Sequence, residues 1–534
     1  MNPMPRPVRL LLAALTLLLP QVARTAPRPN VVLIVCDDLN DYVGHLGGHP
    51  QAHTPNIDRL ASSGVSFVNA HSNHPVCAPS RASFFTGLYG QSSGNLWWDP
   101  WFKNPVLANS MTLMEHFRAN GYEVVGSGKL MHHLWKENWD EYKHPTDYGP
   151  FAHDGKRSGG HPSVPMPYRS IGAIDGSYAP LSDVPYDGKK GKGWVYGRRS
   201  GKKLIPFRYT SETDRSETPD EMNAQWASRR IRNFARKDSG KPFFLAVGFI
   251  RPHLPLHAPK KHFDRFPLDQ VKVPLIKPDD AEDCHYRDSF YDKHQKGLRY
   301  FRMLSESYPK TEDGLRAFTQ AYLACTSFVD EQVGVVLKAI EDNGFADNTI
   351  VVFTSDHGFN MGEKEYLFKN SPWEESTRVP LVIRAPGTAK PGGQPTHPVA
   401  LVDIYPTLKD LCQLEGDTRK NAKGKPLSGH SMRPFMENPK DGEWSGPNGA
   451  LSMIFVGRNP KAELTDEEVW DPTKQHWSYR TKRWRYVRYN NGDEELYDHA
   501  SDPQEWTNLA GKAEHAELKL KLRKEMEALI AKTS

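Results

Sequence analysis

Only five cysteines stand in 534 residues, Cys36, Cys77, Cys284, Cys325 and Cys412, too few for a fold held together by disulfides. Long apolar runs are equally scarce. The one candidate, residues 10–19, is ten residues long, about half of what a bilayer-spanning helix needs, so no membrane span is expected. Neither sign of charge dominates: 69 Lys and Arg stand against 64 Asp and Glu. Arg6 and Arg9 precede or border the apolar run and small residues follow it to Ala26, which reads as a secretory signal peptide over residues 1–26, cut after Ala23 or Ala26. Its removal would take away three arginines and no acid, leaving 66 basic and 64 acidic residues, a formal +2. Charge therefore argues against a nucleic-acid partner, and the leader predicts a periplasmic or secreted protein. An odd cysteine count in an exported chain flags one unpaired or modified thiol, for which Cys77 is the natural candidate; pairing of the other four stays open.

What is present has an α/β grammar. Residues 30–36, Asn-Val-Val-Leu-Ile-Val-Cys, are a continuous β-branched run of the kind buried on both faces of a parallel sheet, and they end in Asp37-Asp38. Paired carboxylates at such a strand tip sit where open α/β sheets bind ligands, although a solvated turn would look the same. Helices are expected over residues 54–63, 81–88 and 111–120, with strands over 65–68 and 122–126. Thr218 and Glu221 make a capping box that opens a helix to about residue 236, and a buried strand over 242–250 runs into Arg251-Pro252-His253. Phe318, Tyr322, Cys325, Val329, Val333, Val336 and Ile340 mark one face of a long helix, and a strand over 348–355 ends in Asp356-His357-Gly358. Strands alternating with helices predict a doubly wound, largely parallel sheet. Residues 135–217 read instead as a long irregular insertion. Within it Lys189, Lys190, Lys192, Arg198, Arg199, Lys202 and Lys203 form either a solvated loop or a contact surface for an anionic polymer. Beyond about residue 445, short strands over 477–481, 484–489 and 495–498 and a terminal helix predict a small antiparallel sheet. The expected division is a leader, a main domain over 27–444 and an α+β subdomain over 445–534.

The most specific pattern is Cys77-Ala78-Pro79-Ser80-Arg81, followed five residues later by Thr86-Gly87. So many residue types at fixed offsets are improbable by chance. The stretch resembles the maturation signature of the type I, formylglycine-dependent sulfatases. The resemblance extends along most of the chain, through Gly128-Lys129-Leu130-Met131-His132, Arg251-Pro252-His253, Asp356-His357-Gly358 and the Gly362-Glu363 and Lys369 that follow. The 242–253 run and Asp356-His357 bring it nearest to the iduronate-2-sulfatase-like enzymes.

The resemblance implies an alkaline-phosphatase-like fold and a sulfatase, that is, a sulfuric ester hydrolase. It implies that a formylglycine-generating enzyme oxidises Cys77, and that the hydrated aldehyde attacks sulfur with one hydroxyl and expels sulfate through the other. A serine has no such exit. One calcium ion is implied, held by Asp37, Asp38, Cys77 and Asp356, with His357 where many members carry asparagine; carboxylates suit such a hard cation. Arg81, one helical turn after Cys77, would reach the formylglycine oxygens and the anion of the metal site. Lys129 would bind sulfate and His132 would take the hemiacetal proton. His253 and Lys369 would contact the sulfate and the leaving oxygen, with His253 preferred as general acid.

Phe85 and Phe359-Asn360 depart from the commoner family choices. Trp97, Trp98 and Trp101 either stack on a sugar ring or pack inside. The expected substrate is a sulfated oligo- or polysaccharide, of the uronate-2-O-sulfate type or from algal polymers. The competing readings are a phosphonate or phosphodiester hydrolase and a non-catalytic saccharide-binding relative.

Overall fold

The computed structural model describes residues 28–186, 191–200, 203–237, 240–286, 296–457 and 467–534, with isolated positions 1, 4 and 465. The expected signal peptide and Lys189, Lys190 and Lys202 lie outside the described residues. In chain order the elements that build the site are β1 (Asn30–Asp37), α1 (Pro55–Ser63), β2 (Val65–Ser66), α2 (Cys77–Thr86), α3 (Leu113–Ala119), β3 (Glu123–Gly128), β4 (Glu141–Tyr142), α4 (Pro219–Lys237), β5 (Phe243–Pro252), α5 (Thr311–Asp342), β6 (Thr349–Ser355) and β7 (Leu381–Arg384). Then come β8 (Gly449–Ile454), β9 (His476–Thr481), β10 (Trp484–Arg488), β11 (Glu494–Asp498) and α6 (Ala516–Thr533).

A seven-stranded sheet in the order β2-β7-β6-β1-β5-β3-β4 forms the centre. Its strands from β6 to β4 run parallel, whereas β7 runs antiparallel to them and pairs antiparallel with β2 at that edge. The pleat sorts the β1 side chains. Val31, Leu33 and Val35 join a core with Phe84 and Phe85 of α2 and Leu113, Met114 and Phe117 of α3. Val32, Ile34 and Cys36 join the opposite core with Leu60 of α1, Ile231 of α4 and Val329, Val333, Val336 and Ile340 of α5. Each fully buried aliphatic side chain contributes ~1.5–3 kcal/mol, which explains why residues 31–36 carry no polar side chain. The capping box of α4 is formed, with Glu221 N donating to Thr218 Oγ1 at 3.3 Å and Thr218 N to a Glu221 carboxylate oxygen at 2.7 Å.

Two expectations are corrected. The insertion is not irregular: residues Lys203–Phe207, Lys192–Ser200, Phe151–Asp154 and Ser158–Gly159 make a four-stranded antiparallel sheet. It packs on Ala152, Trp194, Tyr196 and Phe207, a core too small and too interrupted by glycine and charge to give a period-two signal. On it Lys192, Arg198 and Lys203 are exposed. The helix expected from residue 81 begins at Cys77 itself. No side chain caps its start at Val76, and every residue from Cys77 to Thr86 is buried, so neither a cap nor an amphipathic period announces it. Its end is legible: Gly87 takes φ 69° and donates to Ser83 O, and a side chain there would meet Leu427 at 2.5 Å.

The C-terminal strands form the antiparallel sheet β8-β9-β10-β11. Strand β8, unmarked in the sequence, lies against the loop that leads to Cys77, where Met453 N donates to Asn73 O at 2.9 Å and Ser452 Oγ donates to Ser72 O. All five cysteines are buried and none is in a disulfide. Among the described residues no helix is long and apolar enough to cross a membrane.

Candidate active site

The C-terminal ends of β6, β1, β5 and β3, four neighbours in the sheet, deliver Asp356-His357, Asp37-Asp38, His253 and Lys129 to one edge. Helix α2 brings Cys77 there, and a loop after β6 brings Lys369. Lys369 Nζ lies 3.0 Å from Cys77 Sγ and 2.7 Å from Asp38 Oδ1. His357 Nε2 lies 3.3 Å from the same sulfur, and Asp38 Oδ1 4.0 Å from it. Lys129 Nζ bonds Asp37 Oδ2, and His253 Nε2 stands 3.8 Å from Asp38 Oδ2.

Arg81 explains much of the motif. Its Nε donates to Asp356 Oδ2 (2.8 Å), and Nη2 donates to Asp37 Oδ1 (3.1 Å) and Cys36 O (3.3 Å). Nη1 donates to Lys129 O and Leu130 O. A guanidinium has five N–H groups, and all five are committed to holding three strand ends in register. Ser80 Oγ donates to Asp356 O, and Thr86 Oγ1 to Ala82 O at 2.6 Å. The motif thus builds the frame around Cys77 as well as presenting it.

Asp38 sits at φ 61°, in the left-handed region that Asp tolerates better than most residues. Tyr322 of α5 holds it there, its hydroxyl donating to Asp38 O at 2.6 Å and accepting from Asn40 N at 3.0 Å. The polar tip of a residue expected only as core therefore shapes the site.

Electrostatics follow from burial. Burial alone would raise the Asp37 carboxyl, but Lys129, His253 and Arg81 outweigh it and hold it well below the usual range. Burial drives Asp38 up to about 7, with Asp37 and Asp356 adding to the push against Lys369. Burial likewise lifts Asp356 to about 6 against Arg81. The Cys77 thiol is pushed up to about 12, by burial and then by Asp37, so the unmodified side chain is a protonated, poor nucleophile at neutral pH. His253 and His357 are held well below the normal imidazole range, chiefly by burial and then by Lys369. Each bonds a backbone carbonyl through Nδ1 (Leu254 O and Gly358 O). A carbonyl only accepts, so Nδ1 carries the proton and Nε2 of the neutral ring turns its lone pair to the site.

These donors fit a hard divalent cation. Ligand atoms of Asp37, Cys77, Asp356 and His357 lie within 4.8 Å of one another, as do those of Asp37, Asp38, Cys77 and His253. Asp38 Oδ2 is buried without a hydrogen-bond partner, an expensive arrangement unless something positive completes it. Three carboxylates already face Arg81, Lys129 and Lys369; a bound dication would leave the pocket net positive, as an anion site should be.

His132 stands at the rim. Its ring packs on Trp98 at 4.6 Å and His133 at 4.9 Å, and its Nδ1 is shielded without a partner. Burial, then Lys129 and His133, lower it to about 3. Of the three tryptophans, Trp98 is exposed at this rim, Trp97 stacks on Phe455 at 4.5 Å, and Trp101 is buried with Nε1 donating to His133 O at 2.9 Å. Trp101 is therefore packing and not a sugar platform.

Sequence reading missed Tyr148, whose ring lies 5.0 Å from Lys129 Nζ and 5.0 Å from the His253 ring. It lies in the insertion, where no motif marks it. Concavity would have misled: a cavity of about 810 Å³ lined by Asp41, His49, Lys272, Glu375 and Arg378 contains none of the groups around Cys77.

A parallel sheet wound on both faces, with acids, lysines and histidines converging on one cysteine at its strand ends, defines an alkaline-phosphatase-like hydrolase. The chain belongs to the sulfatase family, whose profile matches residues 29–414, and is a sulfuric ester hydrolase. A second profile, N-sulphoglucosamine sulphohydrolase, C-terminal, matches residues 362–532. A sulfatase of Formosa agariphila is 32% identical over 524 residues, spanning 96% of this chain and 88% of its own. Iduronate 2-sulfatase of Homo sapiens is 28% identical over 556 residues, spanning 93% and 94%. The crystal structure of a phosphonate monoester hydrolase of Agrobacterium radiobacter superposes with TM-score 0.66 at 23% identity, over 95% and 96% of the two chains, a likeness of fold.

Proposed function

We propose that this sulfatase removes sulfate from sulfated saccharides, of the uronate-2-O-sulfate type or from algal polysaccharide fragments, after export to the periplasm or medium. The observation that carries the reading is the convergence of Lys369, Lys129 and two imidazole Nε2 atoms on Cys77 among three buried carboxylates. A sulfate monoester resists attack because its oxygens repel a nucleophile and its alkoxide leaves poorly. Lys129 and Lys369 supply positive charge for the sulfate oxygens. His253 serves the leaving-group side as general acid once its Nε2, bare in the free site, takes a proton from solvent beside the bound anion, and His132, neutral with an unpartnered Nδ1, accepts a proton at the rim. Arg81, its donors all committed, positions the acids and does not contact the ester.

Oxidation of Cys77 to formylglycine by a formylglycine-generating enzyme would supply the nucleophile that the protonated thiol is not. One calcium ion at Asp37, Asp38, Asp356 and His357 would, when bound, screen the negative charge of the ester. Residues 27–444 are the catalytic part in this reading and 445–534 the subdomain that braces it.

Sulfate release from defined saccharides, including 2-O-sulfated uronates and algal galactans, beside an aryl sulfate and an aryl phosphonate, tests the reading. Release from at least one saccharide class is expected. Preferred turnover of the phosphonate would replace it with the phosphonate-hydrolase reading, and activity on aryl sulfate alone would remove the saccharide assignment. N-terminal sequencing of exported protein should begin after Ala23 or Ala26.

A further inference from the structure

Tyr148 is mounted with unusual firmness for a residue in an insertion. The carboxylate of its neighbour Asp147 accepts from Gly149 N at 2.9 Å, Gly197 N at 2.8 Å and Arg198 N at 3.2 Å. These bonds tie the turn to the strand Lys192–Ser200. A side chain at Gly149 would meet Gly197 N at 2.7 Å, and one at Gly197 would meet Asp147 Oδ1 at 2.6 Å, so both glycines are needed for the approach. On the other side, Gly149 O accepts from Arg251 Nη2 at 3.3 Å and Pro150 O accepts from His257 Nδ1 at 2.8 Å. Arg251 lies in β5, the strand that delivers His253, and is itself held by Asp220 Oδ2 at 3.0 Å. Tyr148 is thus fixed relative to His253 through backbone contacts on two sides.

Its ring spans the gap between Lys129 Nζ and the His253 ring, 5.0 Å from each. Lys129 and His253 are buried, whereas Tyr148 beside them is half-buried and keeps part of its surface open. Its hydroxyl is pushed up to about 12, by burial against Lys129 and with Asp37 and Cys77 adding, and so stays a neutral donor at working pH.

We propose that Tyr148 is a further catalytic residue, whose hydroxyl donates a hydrogen bond to the bridging oxygen of the ester beside His253. This rests on the sulfatase reading and on His253 serving the leaving group. As the S–O bond breaks, the bridging oxygen keeps the bonding pair and takes a proton that reaches it from solvent through His253 Nε2; the Tyr148 proton stays on Tyr148 and is only shared. The help grows with the charge that builds on that oxygen. It is small for a nitrophenolate, which delocalises charge, and large for a poor leaving group such as an unactivated phenol or a sugar alcohol.

The test is Tyr148→Phe, which keeps the ring, measured on aryl sulfates of graded leaving-group pKa. The variant should keep the wild-type melting temperature and KM. Its kcat should fall less than tenfold on the nitrophenyl ester and about 10²-fold on the poorest leaving groups, so that log kcat depends more steeply on leaving-group pKa. An equal fall on all esters, or a change in KM alone, would overturn the proposal in favour of packing. If the wild type prefers aryl phosphonates, the sulfatase reading fails separately, and the same comparison of slopes on that series still decides the role of Tyr148.

Discussion

Two buried clusters of charge in this molecule use the same residue types and come to opposite ends. Around the C-terminal sheet, Arg485 bonds Glu505 Oε1, Glu374 Oε2, Pro372 O and Ser478 Oγ, while Arg480 reaches Glu374 Oε2 at 3.1 Å and His499 reaches Glu505 Oε1 at 2.8 Å. Both acids end below their usual range because the cations outweigh burial, Glu505 at about 2. At the sheet edge only Asp37 is lowered; Asp38 and Asp356 are raised, and Asp38 Oδ2 has no partner. Glu374, His499 and Glu505 also have metal-ligand spacing, yet Glu374 Oε2 and both Glu505 oxygens already accept from Arg480, Arg485, His499 and Glu374 N. Saturation, more than burial or spacing, separates the brace from the reactive centre. The brace also serves the centre: it clamps residues 372–374, just after Lys369, and Asn370 pairs with Phe455 through Nδ2 to O at 3.2 Å and Oδ1 from N at 3.2 Å.

The contrast is broken most severely by Cys77→Ala. Turnover should drop to background while the melting temperature stays within a few degrees of wild type; retained aryl sulfate hydrolysis would show that the nucleophile lies elsewhere. Arg485→Ala should do the reverse. Leaving buried Glu374 to Arg480 and buried Glu505 to His499 should cost ~3–5 kcal/mol of stability in a denaturant titration, with the kcat of the remaining folded protein changed far less.

A smaller effect should come from pH. Glu505 has a folded pKa below its unfolded value, so its contribution is complete above about pH 4.5 and is lost as pH falls toward 2. The stability advantage of wild type over Glu505→Gln, at most about 3 kcal/mol, should therefore shrink between pH 5 and 3 on the order of one pKa span. An advantage that grows on acidification would reverse the sign assigned to the brace.

Much of the centre was legible because its strands are buried on both faces. Residues 31–36 and 242–250 admit no polar residue until the strand ends, so Asp37-Asp38 and His253 stand out there. The long helix showed its seven-residue face, although not that Tyr322 would turn its hydroxyl onto Asp38 O. Arg81 was visible as a motif residue, but its bonds to Asp356, Asp37 and three carbonyls span strands far apart in sequence. Tyr148 and β8 were hidden for a related reason: each is placed by contacts with distant segments, through Asp147 to Gly197 and from Met453 to Asn73, and neither has a local pattern.

The difference between the clusters is tested most directly by calorimetric titration of calcium into wild type, Asp38→Asn and Glu505→Gln. Wild type should bind one ion per chain, Asp38→Asn should lose that binding, and Glu505→Gln, where folded, should retain it. Calcium binding that survives in Asp38→Asn and disappears in Glu505→Gln would place the unsaturated site in the wrong cluster.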